Sequence, residues 1–180
     1  MVRTRTDSLD YLVNVAGIDP KYSIEEGDET RWQEIVDLNL RAYYFVIREV
    51  LQLLRAGQGK SIVNVSSINY RLGIPRRSIY SISKAGILGL TAGLARELGA
   101  EGIRINSVSP GWVFTARQIE EYFTRPADRK KNLDKMKRRQ AISRCITPQD
   151  VARHILFYLS ESSAASTGHN CVVDAGWLLE

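Results

Sequence analysis

The chain is poor in the residues that staple a protein or hold a metal. Its 180 residues include two cysteines and two histidines. Cys145 and Cys171 lie far apart and form no C-x-x-C pair, which argues against a disulfide framework and for reduced thiols. His154 and His169 fall in no H-E-x-x-H or clustered spacing, so no metal site is expected. No apolar run reaches the ~18 residues that a membrane span needs. The opening M-V-R-T-R-T-D-S-L-D lacks the apolar centre of a signal peptide, and a cytoplasmic protein is expected. Charge of one sign is in excess, with a net +5. Much of it is local, in Arg129, Lys130, Lys131, Lys135, Lys137, Arg138 and Arg139. No aromatic is interleaved there to stack on bases. A solvated helix face is the preferred reading, with no nucleic-acid partner and no membrane.

What is present is enough for one domain with a real core. Residues 9–17, L-D-Y-L-V-N-V-A-G, read as a strand ending in a turn of small residues that lets backbone approach something closely. Thr30 and Gln33 offer a capping box for a long helix through residues 32–55, ended at Gly57–Gly59. Asn39 sits inside it among apolar neighbours and, if buried, must find partners. Residues 61–67, S-I-V-N-V-S-S, read as a buried strand, and a helix follows from about Arg77 to Gly99. Its Gly86 and Gly89 lie mid-helix, where close helix packing suits them better than phosphate binding. Residues 103–109 form a third strand that meets a turn at Pro110-Gly111. Residues 116–143 are helical but broken by Pro126, and read as a mobile substrate-side insert. Thr147-Pro148-Gln149-Asp150 starts a helix with cap, first-turn proline and acid in place. N-C-V-V-D-A-G is a fourth strand.

Three residues stand out chemically. Tyr80 and Lys84 are four apart, so a helix stacks them on one face, and Ser67 ends the second strand. A free tyrosine, with a pKa of about 10, is too weakly acidic to serve as a base at neutral pH. An ammonium ~4 Å away at an effective dielectric of ~20 favours the phenolate by ~4 kcal/mol, roughly three pKa units. Tyr80 then becomes a general acid or base, and Ser67 holds the reacting oxygen. Tyr-x-x-x-Lys spacing is common on protein surfaces, so it carries weight only with its surroundings. Those surroundings are an alternation of strands and helices that implies a parallel sheet covered on both faces. In such sheets the ligand lies beyond the carboxyl ends of the strands. The Asn14–Gly17 turn, Ser67 and Pro110-Gly111 all fall there.

With these residues in view, the chain from Leu9 to Trp177 resembles the short-chain dehydrogenase/reductases. Asn14-Val15-Ala16-Gly17 is similar to that family's N-N-A-G turn, and Asn39 in D-L-N-L to its helix asparagine. Ser67, Tyr80 and Lys84 match its Ser and Y-x-x-x-K. R-I-N-S-V-S-P-G-W-V-F-T matches its R-V-N-x-x-x-P-G-x-x-x-T, and T-P-Q-D-V-A and T-G-H-N-C-V-V-D-A-G match its closing blocks. The P-G-W-V-F-T-x-R-Q segment and the closing D-x-G-W further resemble members acting on sugars, such as aldose 1-dehydrogenases.

The resemblance implies an α/β fold, a partial Rossmann-type parallel sheet flanked by helices, as one domain over residues 1–180. It implies an NAD- or NADP-dependent oxidoreductase interconverting an alcohol, or sugar, and a carbonyl. The catalytic set would be Asn39, Ser67, Tyr80 and Lys84, with Asn39 supporting a water relay to Lys84. Asn14, Ala16, Gly17, Tyr80, Lys84, Pro110, Gly111, Val113 and Thr115 would hold the cofactor. The helices bearing Asn39 and Lys84 would pair copies into a homo-oligomer. Val15 and Ala175 replace an Asn and a Gly of the pattern, and the Ala175 change is expected to be minor so long as the backbone there is not left-handed. The family's Gly-rich T-G-x-x-x-G-x-G turn, which seats the pyrophosphate on a helix N-terminus, does not occur. The expectation is therefore a chain without the first strands that holds the cofactor weakly by itself and is inactive alone. The competing reading is a non-enzymatic remnant serving as an interaction or structural protein.

Overall fold

A computed structural model describes residues 6–179. Strands β1 (Tyr11–Asn14), β2 (Ser61–Val65), β3 (Arg104–Pro110) and β4 (Asn170–Val173) form one parallel sheet in the order β1-β2-β3-β4. Helices α1 (Glu29–Val36) and α2 (Ala42–Ala56) connect β1 to β2. A short α3 (Asn69–Leu72) and the long α4 (Ser78–Leu98) connect β2 to β3. Helices α5 (Ala116–Phe123), α6 (Pro126–Arg139) and α7 (Pro148–Leu159) connect β3 to β4. This is the expected α/β architecture, a partial Rossmann-type sheet with helices on both faces.

The period of two in β2 divides the core. Ile62 faces a cluster with Ile47, Val50 and Leu54 of α2 and Ala95 and Leu98 of α4. Val63 faces the opposite layer, with Val151 and Tyr158 of α7 and Val173 of β4. Both are 0% exposed, which is why this strand is apolar on both sides. A third cluster of Ile68, Phe123, Met136 and Trp177 seats α5 and α6 beside the carboxyl end of the sheet.

The start of α1 differs from the sequence reading. Asp28 is the cap, and its side chain accepts from the Arg31 N–H at 2.8 Å. Thr30 lies within the first turn. Asp28 wins because a carboxylate both accepts the free N–H and suits the positive end of the helix dipole. The long helix is also not uniform. Asp37–Arg41 is a π turn, with the Ala42 N–H reaching back to the Asp37 carbonyl. The capping box of Thr147 and Asp150 on α7 is present as read.

Gly86 packs as expected, since a Cβ there would lie 2.5 Å from Leu40 Cδ2. Gly89 does not share that role and faces open space. Ala175 has φ +57°, in the left-handed region. Its replacement of glycine is thus strained rather than minor, because a Cβ in that conformation crowds the following carbonyl. All seven basic residues between 129 and 139 are exposed on α6, as the solvated-face reading requires. Among the described residues no helix is long and apolar enough to cross a membrane.

Candidate active site

The carboxyl ends of β1, β2 and β3 open on a cavity of about 580 Å³. Gly17, Ser67, Tyr80, Lys84, Pro110, Gly111, Val113 and Thr115 line it. Asn14, Ala16 and Asn39 do not reach its wall and act from behind. Asn14 donates to Asn64 Oδ1 at 2.9 Å, and Asn64 donates to Thr91 at 3.2 Å, tying β1 to β2 and β2 to α4. The Ala16 carbonyl accepts from the Tyr43 hydroxyl at 2.9 Å.

Asn39 is 0% exposed and finds its partners across 21 residues of chain rather than locally. Its Oδ1 accepts from the Ile18 N–H and its Nδ2 donates to the Ile18 carbonyl, both at 2.8 Å. Nδ2 also donates to Ser83 Oγ at 3.1 Å. The π turn carries this residue, and such turns are common at functional sites. Asn39 thereby fixes the loop after Gly17. A Cβ at Gly17 would lie 3.1 Å from Asn39 Oδ1 and 3.2 Å from Lys84 Nζ. The turn is glycine because a polar amide and an ammonium flank it that closely.

Lys84 is 4% exposed, and its Nζ donates to the Val65 carbonyl at 3.0 Å. Burial pushes its ammonium down to about 8, with the Asp19 carboxylate opposing. Its Nζ lies 5.9 Å from the Tyr80 ring centroid. Tyr80 differs from expectation. Burial pushes its phenol above the ordinary value of 10, against the pull of Ser67 and the Arg77 and Arg117 guanidiniums; Asp19 adds to the rise. The strong lowering by Lys84 anticipated from the spacing is not seen. Desolvation outweighs it, and the ammonium is turned toward Val65. Ser67 Oγ accepts from the Asn69 N–H at 3.2 Å, and its hydroxyl hydrogen-bonds the Tyr80 phenol.

Sequence reasoning missed a group of charges at the mouth. Asp19 is paired with both Arg77 and Arg117. Only the twin arginines just before Tyr80 could have flagged it. It also missed Tyr43, whose hydroxyl braces the turn and the end of β2. Gly111 lets the Pro110–Thr115 segment cross β4, since a Cβ there would lie 2.9 Å from Asp174 Cα. Thr115 caps α5. Trp112 donates to Gln118 at 2.6 Å and packs on Phe123, fixing α5 against the cavity. Among the described residues no group of three or more His, Cys, Asp or Glu could hold a metal.

The family profile described as enoyl-(acyl carrier protein) reductase matches residues 1–178. The chain belongs to the short-chain dehydrogenase/reductase family. It is 37% identical over 169 residues to a probable galactose dehydrogenase of Rhizobium meliloti, covering 94% of this chain and 64% of that protein. Among solved structures it is similar to a ligand-free aldohexose dehydrogenase of Thermoplasma acidophilum, with a TM-score of 0.90 and 27% identity. That match covers 99% of this chain and 71% of the other. It is also similar to a 4-hydroxyisoleucine dehydrogenase in complex with NADH, at 30% identity and a TM-score of 0.83, over 96% of this chain and 70% of the other. The chain thus spans roughly two thirds of the length of these relatives.

The family uses a nicotinamide cofactor, and the residues present here suit its nicotinamide–ribose end. Lys84 is buried with one protein acceptor, Val65, for its three N–H donors. Gly17 and Gly111 keep backbone open where side chains would intrude. Lys84 and Tyr80 would hold the ribose hydroxyls, and Pro110, Gly111, Val113 and Thr115 the nicotinamide.

Proposed function

We propose that this chain carries the proton-transfer centre of an NAD(P)-dependent oxidoreductase that interconverts a sugar hydroxyl and a carbonyl. The observation that carries the reading is the convergence of Ser67, Tyr80 and Lys84 on one cavity at the carboxyl ends of the strands. The sugar dehydrogenase relatives support the substrate class.

In this reading Ser67 donates to the substrate oxygen and holds it beside the Tyr80 phenol. Tyr80 takes the proton from the carbinol in oxidation and returns it to the carbonyl oxygen in reduction. The bound nicotinamide supplies or accepts the hydride. Lys84 binds ribose and, drawn away from Val65, opposes the desolvation that raises Tyr80. Asn39 holds the loop at Ile18 and serves the water relay to Lys84. Helices α5 and α6 form the substrate-side insert over the cavity.

Two copies associate through α2 and α4, whose outer faces leave Tyr44, Val46 and Ile82 between 41% and 50% exposed. Sedimentation of the protein and of an Ile82→Glu variant tests that surface, and a monomer in both would remove it.

The chemical reading is tested with Tyr80→Phe in this chain joined to a segment bearing the family's Gly-rich turn, followed through absorbance of reduced nicotinamide with galactose and xylose as substrates. General acid–base catalysis contributes roughly 10²–10⁴-fold, so a loss of that size in turnover is expected. Turnover within a few-fold of the parent would remove Tyr80 from the mechanism.

A further inference from the structure

Two arginines meet at the mouth of the cavity on one carboxylate. Arg77, on the turn entering α4, has a side chain only 9% exposed. Its Nη1 pairs with Asp19 Oδ2 at 2.6 Å and also donates to the Asp19 carbonyl. Arg117, on α5, pairs through Nη2 with the other oxygen, Oδ1. Both Arg77 contacts run through Nη1. Among the described residues the Nε–Nη2 side of its fork therefore has no protein acceptor. The Arg77 guanidinium carbon lies 5.8 Å from the Tyr80 ring centroid. Lys21, Arg77, Lys84, Arg117 and Lys135 line the cavity, against Asp19 as the one acidic lining residue.

A purely structural ion pair does not account for this arrangement. Arg77 commits one nitrogen to Asp19, and its other N–H groups are not among the buried unpartnered atoms, so they open on the cavity that Arg77 lines. Counting Glu121, which pairs with Lys21 and also acts on Arg117, two carboxylates face Lys21, Arg77 and Arg117, so the mouth keeps an excess of positive charge. A planar fork beside an open volume matches a carboxylate, which takes two parallel N–H bonds. A neutral sugar offers the same fork only uncharged hydroxyl oxygens, which make weaker bonds.

We propose that the cavity selects a substrate bearing a carboxylate, a sugar acid or hydroxy acid, whose anionic group is held by Arg77 and Arg117 while its carbinol faces Tyr80 and Ser67. Asp19 competes internally for the same two forks. It keeps them oriented in the free protein and yields part of their bonding to the incoming anion. The guanidinium-to-ring distance sets the spacing, with carboxylate and reacting carbon a few bonds apart. The inference rests on the proton-transfer reading above for the placement of the carbinol, but anion selection stands on the arginines alone.

The test is calorimetric titration with matched probes, D-galacturonate against D-galactose and D-gluconate against D-glucitol. At least one acid should bind roughly tenfold or more tightly than its neutral partner, the scale of a charge-assisted hydrogen bond. Arg117→Gln, at a side chain 58% exposed and so safe for folding, should erase most of that preference and leave the neutral probes unchanged. Asp19→Asn should move the other way and tighten the acid severalfold, because both forks lose their internal rival. Equal binding within both pairs overturns the proposal, as does a preference untouched by Arg117→Gln or weakened by Asp19→Asn, the result a merely structural ion pair predicts. Tyr80→Phe separates the two readings. Acid preference that survives it, with turnover lost, supports both. Turnover that survives it removes Tyr80 from the mechanism and leaves anion selection standing.

Discussion

The buried lysine makes stability depend on pH in a way that a surface lysine does not. Lys84 stands at about 8 in the folded protein, below its ordinary 10.5, because burial penalises the ammonium. Between those values the unfolded chain binds more protons at this site than the folded one, so this group makes stability rise with pH. Below about pH 8 the full penalty is present, and above about pH 10.5 it is gone. Integrating the linkage between pH 8 and pH 10 gives a gain of ~2 kcal/mol from Lys84. Tyr80 acts in the opposite sense. Its raised phenol keeps a proton that the unfolded chain gives up above its ordinary value of 10, so stability falls there. Cys171, raised by burial, opposes likewise above about 9. The assay therefore compares urea unfolding of the parent and Lys84→Met at each pH, which cancels every other group. Lys84→Met should be the more stable relative to the parent near pH 8, and its advantage should shrink by ~2 kcal/mol by pH 10. A difference constant within ~0.5 kcal/mol across that range would refute the argument, and with it the view that desolvation dominates this ammonium.

Three substitutions test the scaffold. Asn39→Ala leaves the half-buried N–H and carbonyl of Ile18 and the Ser83 hydroxyl without their partner. A loss of about 2–3 kcal/mol, or roughly 5–10 °C in thermal midpoint, is expected by calorimetry; under ~1 kcal/mol would mean water replaces the amide. Ala175→Gly relieves a left-handed alanine worth ~1–2 kcal/mol against ~0.4–1 kcal/mol of added chain freedom. A net gain near 0.5 kcal/mol or more in urea is expected, and a loss contradicts strain at this position. Gly86→Val drives a branched side chain into Leu40 and should cost ~1–3 kcal/mol, measured as a lower urea midpoint.

The parallel sheet covered on both faces and much of the cavity lining were legible because they follow from patterns of a few residues. Alternating Ile62 and Val63 give a strand buried on both sides, and the strand ends place Ser67, Tyr80, Lys84 and Pro110–Thr115 together. What escaped depended on distance through space. Asn39 was visible as an unusual residue, but its bonds to Ile18 were not, because they close a loop of 21 residues. The Tyr80–Lys84 pairing was legible as a spacing and misleading as an energy, since burial of both groups opposes their mutual attraction. Asp19, Arg77 and Arg117 come from three segments that no local periodicity connects. Ala175 was readable as a departure from pattern, whereas its positive φ was not.

The π turn lets its helix carry one residue more than a regular α-helix with the same faces. Buried Ile35, Asn39, Tyr43 and Ile47 are spaced by four, four and four. On an unbroken α-helix each such step overshoots a full turn by ~40°, so three would carry the last residue ~120° around from the first. The wider turn at Asp37–Arg41 takes up most of that drift and returns all four to one side. Deleting one residue there would let the helix close as a regular α-helix, and since eleven α steps also make about three full turns, Ile35 and Ile47 would stay on one side. What the extra residue supplies is the widened turn itself, which carries the buried Asn39 amide to Ile18 and Ser83. The count from 35 to 47 can shorten by one without unseating the core, but not without moving the amide that holds the loop.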